Sequence, residues 1–408
     1  MSETPVAPAS GQDEPLAVAA ATASIARPAI DAEPVELLRA FEPVVRYTRG
    51  ESFLPMSVET YLADATLMRT VRRGPAQITG RRGTLAADTL ADSQGPIPSG
   101  ARGTGEFLTV AGNRDVDDVG DLFRQSAAQA AGFRPRAGRL ARVGYSGRIV
   151  DALFSLSLLA RGRVPGSLAR HAVGTYRSMV GEAATHPYYG RVVRTSGWTV
   201  LQYWFFYAFN DWRSGFNGAN DHEADWEQIL VYLDADAEGR AVPVWAAYAQ
   251  HDYHGRDLRR RWDDAEELER IGDHPVVYAG AGSHASYFRP GEYLAEQELR
   301  VPSLVRRVTT TVGALISGSA GDGSAERFLS VAFVDYARGD GPAIGEGNER
   351  TWEPVVLDGS QPWVAGYRGL WGLSVQDMFQ GEDAPAGPMF NRDGGVRRSW
   401  SDPVAFAE

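Results

Sequence analysis

The sequence predicts an α+β protein, mainly an antiparallel β-sandwich with peripheral helices. Three observations lead there. Segments 198–209, 227–233, 243–250 and 275–279 combine strand length with aromatic and β-branched residues. Apolar residues recur at helical spacing in two other regions, 119–182 and 302–317. Glycine and proline punctuate the rest without a repeating period.

Residues 1–31 are Ala, Pro, Ser and acidic residues with few large apolar groups, which predicts a disordered tail before a single domain over 32–408. Glu33–Arg39 reads as a short helix, Pro43–Tyr47 as a strand, and Val58–Met68 as a second short helix. Residues 74–120 read as irregular loops with short strands. Ile149, Leu153, Leu156 and Leu159, then Ala169, Val173 and Tyr176 after Pro165-Gly166, make 119–182 a helical insertion. The charged segment 255–272 predicts an exposed loop and short helix. Leu304, Val308, Val312 and Ile316 fall on one stripe of an amphipathic helix. Trp352, Trp363, Trp371 and Trp400 among many Gly and Pro predict a wrapping, loop-rich end anchored by aromatics.

Composition removes several chemistries. There is no cysteine, which excludes disulfides, thiolate zinc sites and Cys nucleophiles. All 41 basic residues are arginine, which excludes a Schiff-base lysine and a P-loop lysine. A net charge of −11 argues against wholesale binding of nucleic acid or anionic membrane, while leaving room for a local basic patch. No apolar run is long enough for a membrane span, and no basic-then-apolar leader is evident, so a cytoplasmic location is expected. The Ala, Arg and Gly bias points to a high-GC bacterial genome.

The chemistry concentrates in Asn220-Asp-His-Glu-Ala-Asp-Trp-Glu227 and the strand that follows. Strand alternation puts Asp225, Glu227, Ile229, Val231 and Leu233 on one face, and Trp226, Gln228, Leu230 and Tyr232 on the other. Both faces are mostly apolar, so the strand is predicted to be buried on both sides. Two carboxylates at the entrance of a buried strand are costly unless they meet cations, donors or protons. A divalent cation held by Asp225, Glu227, His222 and Asp211 answers that need, with Ca or Mg favoured and Mn or Zn also compatible. The alternative is a structural network in which Arg213 or another arginine neutralises the carboxylates.

Two further clusters sit near strand ends. Tyr278-Ala-Gly-Ala-Gly-Ser-His-Ala-Ser-Tyr-Phe288 presents Ser283, His284 and Tyr287 on a Gly-rich turn, with His284 a site base, a ligand contact or a turn histidine. Gln250-His-Asp-Tyr-His254 places His251 in the same neighbourhood.

These motifs resemble two families. Trp198–Tyr207, Asn210-Asp-Trp-Arg-Ser214, His222-Glu-Ala-Asp-Trp-Glu227, Gln250-His251, Gly282-Ser-His-Ala-Ser-Tyr287 and Gly369-Leu-Trp-Gly372 look like the vacuolar protein sorting-associated protein 62 family, scattered over about 33–403. A more distant likeness is to the necrosis- and ethylene-inducing peptide family, whose signature is Gly-His-Arg-His-Asp-Trp-Glu. That resemblance implies a β-sandwich with a divalent cation in a surface cavity, its ligands falling on His222, Asp225, Glu227 and near Asp211. The chain departs from it at Glu223 and Ala224, and in having no cysteine.

Three functions follow as expectations. The first is a metal-containing module that binds a polar small molecule, glycan or lipid headgroup. The second is a metal-dependent hydrolase in which His284 or Glu223 moves protons. The third is a structural protein without a metal.

Overall fold

The computed structural model describes residues 27–71, 76–91, 105–110, 176–180, 183–211, 222–249, 255–300, 328–373 and 384–408. In chain order the strands are β1 (Val44–Arg46), β2 (Thr66–Arg69), β3 (Gln77–Gly80), β4 (Glu106–Thr109), β5 (Thr185–Thr195), β6 (Trp198–Asn210), β7 (His222–Ala235) and β8 (Ala241–Tyr248). There follow β9 (Arg259–Arg261), β10 (Arg270–Ile271), β11 (His274–Ala279), β12 (Ser286–Tyr287), β13 (Gly291–Arg300), β14 (Phe328–Ala337), β15 (Ala343–Ile344) and β16 (Thr351–Val356).

A six-stranded sheet in the order β16-β5-β6-β7-β8-β9 forms the centre. It is antiparallel except where β16 joins β5 in parallel. Its longest strands, β6 and β7, are apolar on both faces because both faces are covered. On one face Leu201, Tyr203, Phe205, Tyr207, Ile229, Val231 and Leu233 pack against Val45, Val277, Ala279 and Ile344 of a second sheet, ordered β10-β11-β1-β15 with β12 on β11. That is the predicted sandwich. On the other face Trp204, Phe206 and Trp226 meet Trp363, Trp371 and Tyr61. This side is closed by the short helices Val58–Asp64 and Pro362–Gly366, with the three-stranded sheet β3-β2-β4 adjoining.

Trp226 is the anchor of the second side. Its ring lies 4.8 Å from Phe206, 5.5 Å from Tyr189 and 5.4 Å from Trp371. Trp352, Trp363 and Trp371 are all buried, as the wrapping C-terminal region predicted, and Trp400 is half-buried.

Several local expectations change. The helix expected over Val58–Met68 stops at Asp64. Ser57 caps its start, accepting from the backbone N–H of Thr60. Thr66–Met68 instead belong to β2, which is paired on both edges, and two ladders outweigh a weak helical preference. In the charged segment, Arg259–Arg261 form an edge strand preceded by a single turn at Arg256–Leu258. β7 begins at His222, five residues before the expected start at Glu227, so the acidic motif is itself strand. Chain contacts begin before Asp31: Ala29 bridges Arg240, and Arg27 pairs with Asp273 at 2.7 Å. Of the helical region at 119–182, the described residues 176–180 are helical, and the remainder lies outside the described residues, as does 302–317. No helix among the described residues is long and apolar enough to cross a membrane.

Candidate functional site

The site forms where β6 ends and β7 begins. The two strands pair Tyr207 with Asp225 and Phe205 with Glu227, which sets both carboxylates on the sandwich face at one end of the sheet. On the N-terminal side of Ile229, β7 has no β8 residue paired to it. A cavity of about 400 Å³ opens at this edge, so that Glu227 and Gln228 line it from opposite faces of one strand. Asn210, His222, Asp225 and Ser283 complete the strand-and-turn wall. The other wall is the C-terminal segment, with Asn391, Arg392, Asp393, Arg397, Arg398 and Ser399.

Beneath the cavity lies a buried ion triad. His284 Nδ1 donates to Asp225 Oδ2 at 3.1 Å, and its Nε2 stands 3.7 Å from Glu51 Oε1. Asp225 Oδ2 also accepts from Asn210 Nδ2 at 3.0 Å. Glu51 accepts from the backbone N–H groups of Ser52, Phe53 and Gly282. Burial alone would lower the His284 pKa, but hydrogen bonding and charge from Asp225 and Glu51 outweigh it and push the imidazole up to about 10. Burial would raise both carboxylates. The His284 hydrogen bond and charge reverse this, and both sit below their ordinary values. His284 is therefore an imidazolium at neutral pH and not a proton acceptor. Its backbone is left-handed, with φ +58°, in a turn that also holds Gly282 at φ +77°.

Glu227 is in the opposite situation. Only 9% of the residue is exposed. No described residue donates a hydrogen bond to its carboxylate, which faces the cavity. Burial, and then the neighbouring Asp225 charge, push its pKa well above the carboxylate range, while the cationic His284 and Arg397 oppose the shift.

The other predicted residues divide. His222 reaches the cavity, but its Nδ1 is bonded to the Ala224 carbonyl at 2.7 Å. Asp211 lies beside the 280–285 turn: its backbone N–H donates to the Gly282 carbonyl, and its Oδ1 lies 2.5 Å from where a Gly282 Cβ would stand. It is not among the cavity-lining residues. The alternation of β7 breaks before Asp225, where Ala224 adopts φ +59°, and Glu223 turns away from the cavity. Its carboxylate accepts from Thr109 Oγ1, Val110 N–H and Leu373 N–H on the Trp226 side, so three donors bind the Glu223 oxygens. Ser283 Oγ and Tyr287 OH both donate to Asp335 Oδ2, at 2.6 and 2.9 Å. Asp335, the acceptor of both, is fully buried. His251 and Arg213 lie outside the described residues. Among the described residues, no group of three or more His, Asp and Glu side chains is arranged to hold a metal ion.

Two contributors escaped sequence reasoning. Glu51 sits in a loop with no acidic or histidine neighbour. The arginines of the C-terminal segment fall in the wrapping, loop-rich end, and Arg397-Arg398 in an acidic chain is the sequence signal that marks them.

No family model and no curated protein matches the sequence. Solved structures of necrosis- and ethylene-inducing proteins are similar over a limited region. One is NLPPya in complex with mannosamine, at 19% identity over 26% of this chain and 44% of that one, with a TM-score of 0.20. Another is Necrosis and Ethylene inducing Protein 2 from the causal agent of cocoa's witches' broom disease, at 18% identity over 26% and 45%, with a TM-score of 0.21. The chain thus spans less than half the length of these structures. A likeness of that extent carries nothing about activity or ligand.

Proposed function

We propose that this protein is a β-sandwich binding module whose cavity takes a positively charged species at Glu227 and Asp225 as part of holding a polar ligand. One observation carries the reading: Glu227 is a buried carboxylate that faces a cavity and receives no hydrogen bond from a described residue. Such a group is costly without a cation or a proton.

A divalent cation, Mg or Ca, is the form of that charge we propose. Of the four residues expected to ligate it, Asp225, Glu227 and His222 line the cavity and Asp211 does not. The donors present fit a hard ion held by two carboxylates and otherwise by water or ligand oxygens, as Mg is commonly bound. They do not make a closed four-ligand cage. When bound, the ion would supply a positive centre for ligand oxygens. Glu227 and Asp225 would hold it, and the His284 imidazolium would keep Asp225 ionised and oriented. The polar ligand, a small molecule, glycan or lipid headgroup, would enter beside it. The hydrolase reading is weaker on this geometry, because His284 carries a proton at neutral pH and Glu223 is bonded to three donors. Membership of the vacuolar protein sorting-associated protein 62 family rests on the sequence motifs alone.

The test is titration calorimetry of the full chain with MgCl2 and CaCl2, beside Glu227→Gln. Saturable uptake by the wild type that is lost in the variant is the expected result. Neither ion binding to the wild type would overturn the cation reading.

A further inference from the structure

The two walls of the cavity carry opposite charge. Glu227 and Asp225 stand on the strand wall, and Arg392, Arg397 and Arg398 on the C-terminal wall. In a chain of net charge −11, three arginines on one cavity wall run against the overall balance. Among the described residues, Arg392 and Arg398 make no ion pair. Asp393, on the same wall, accepts from the Gly395 N–H at 2.8 Å within its own turn.

The C-terminal wall is tied to the central sheet that carries the carboxylates. Gln228, the residue after Glu227, donates to Ser399 Oγ at 2.7 Å. Gln202 donates to the Ser399 carbonyl at 2.5 Å, Tyr232 to the Pro403 carbonyl at 2.7 Å, and Arg191 to the Trp400 carbonyl at 2.9 Å. Arg397 Nε is itself held by the Gly387 carbonyl at 3.1 Å. The backbone next to Arg397 and Arg398 is thus anchored at the cavity. Guanidinium forks match phosphate oxygens and favour them over a single point charge. A cavity of about 400 Å³ has room for a phosphate and a small polar body.

We propose that Arg392, Arg397 and Arg398 form an anion subsite, and that the ligand of this cavity carries a phosphate held there, with its remaining polar groups directed toward Glu227 and Asp225. The proposal rests on the cavity being a binding site, as read above, but not on which species sits at Glu227. Free phosphorylated metabolites and phospholipid headgroups share this chemistry.

The experiment is calorimetric titration of the full chain with inorganic phosphate and with O-phosphoethanolamine, beside the double variant Arg392→Gln/Arg398→Gln. Both side chains are exposed, so folding is expected to be intact, with thermal unfolding as the check. The wild type should bind both compounds, and the double variant about tenfold or more weakly, the scale of losing hydrogen bonds to a charged group. Its Mg uptake should be unchanged, and Glu227→Gln should still bind inorganic phosphate. Wild type that binds neither compound, or a double variant that binds them equally well, overturns the proposal. Mg uptake without phosphate binding sinks this inference and leaves the cation reading standing; phosphate binding without Mg uptake does the reverse. Cosedimentation with phosphatidylcholine vesicles containing phosphatidic acid, lost in the double variant, assigns the phosphate to a headgroup. Binding of the soluble compounds alone assigns it to a free metabolite.

Discussion

The imidazole of His284 lies flat on the ring of Tyr207, with centroids 3.8 Å apart and planes within 2°. The stack fixes the ring edge-on between Asp225 and Glu51, and Tyr207 is held in turn by a 3.0 Å hydrogen bond to Tyr47. Two acids and one base from distant segments form a rigid buried triad under the cavity.

That triad should shape the dependence of stability on pH. His284 is raised from 6.5 to about 10, so its contribution is fully present below 6.5 and is lost as pH rises through about 10. Asp225 and Glu51 are lowered, so theirs is present above the ordinary carboxylate range and is lost as pH falls through their folded values. His284→Ala leaves buried carboxylates uncompensated and should cost on the order of 3–5 kcal/mol at neutral pH. Thermal unfolding across pH should show the alkaline limb flattened. A variant curve parallel to wild type from neutral to alkaline pH contradicts the assignment.

Glu227 should behave with the opposite sign. Its raised pKa makes the ionised form a burden in the folded state, present once pH exceeds the unfolded carboxylate value. Glu227→Gln should therefore stabilise the ligand-free protein at neutral pH by on the order of 1 kcal/mol and change little in acid. Denaturant melts at both pH values in the presence of a chelator check this. A destabilised variant at neutral pH would show that the carboxylate has a partner.

Glu223→Gln should do something different from either. The carboxylate joins Thr109, Val110 and Leu373, so one donor loses its acceptor, at a cost of about 1–3 kcal/mol. Uptake of Mg and of phosphate should be unaffected. A large loss of uptake in a folded variant would move Glu223 into the binding machinery.

Gly282→Ala tests the turn that aims His284. At φ +77° an added Cβ is strained, and it would stand 2.5 Å from Asp211 Oδ1 and 2.8 Å from the Asp211 carbonyl carbon. A loss of about 1–3 kcal/mol is expected. It should come with weaker Mg uptake, because the Gly282 N–H donates to Glu51 at 2.9 Å. Wild-type stability would show that the turn relaxes freely.

Much of this arrangement was legible in residue order. Alternation along β7 placed Asp225 and Glu227 on one face and Trp226 on the other, because a long paired strand leaves little freedom to rotate. It does not extend back to Glu223, because Ala224 takes a left-handed conformation that no sequence rule assigns to alanine. No strand is expected from the sequence at β5 or over the β13–β14 ladder, whose mixed polar and apolar residues acquire a strand only from their neighbours. Glu51 was invisible for a simpler reason. A loop carboxylate becomes part of a site only through tertiary contact, and here the partner is His284.

The order of assembly follows from the central sheet and its covering layers. Trp352 Nε1 donates to the Pro43 carbonyl across 309 residues of sequence, and Tyr61 to the Trp371 carbonyl across 310. The β1–β11 pairing is likewise parallel and remote. Contacts this distant must close large loops before they contribute anything, which slows folding. The β6–β7 hairpin is local and can form early, exposing Asp225 while its imidazolium partner is still being delivered. Folding at alkaline pH, where that partner loses its proton, should therefore be retarded at the last step and not the first.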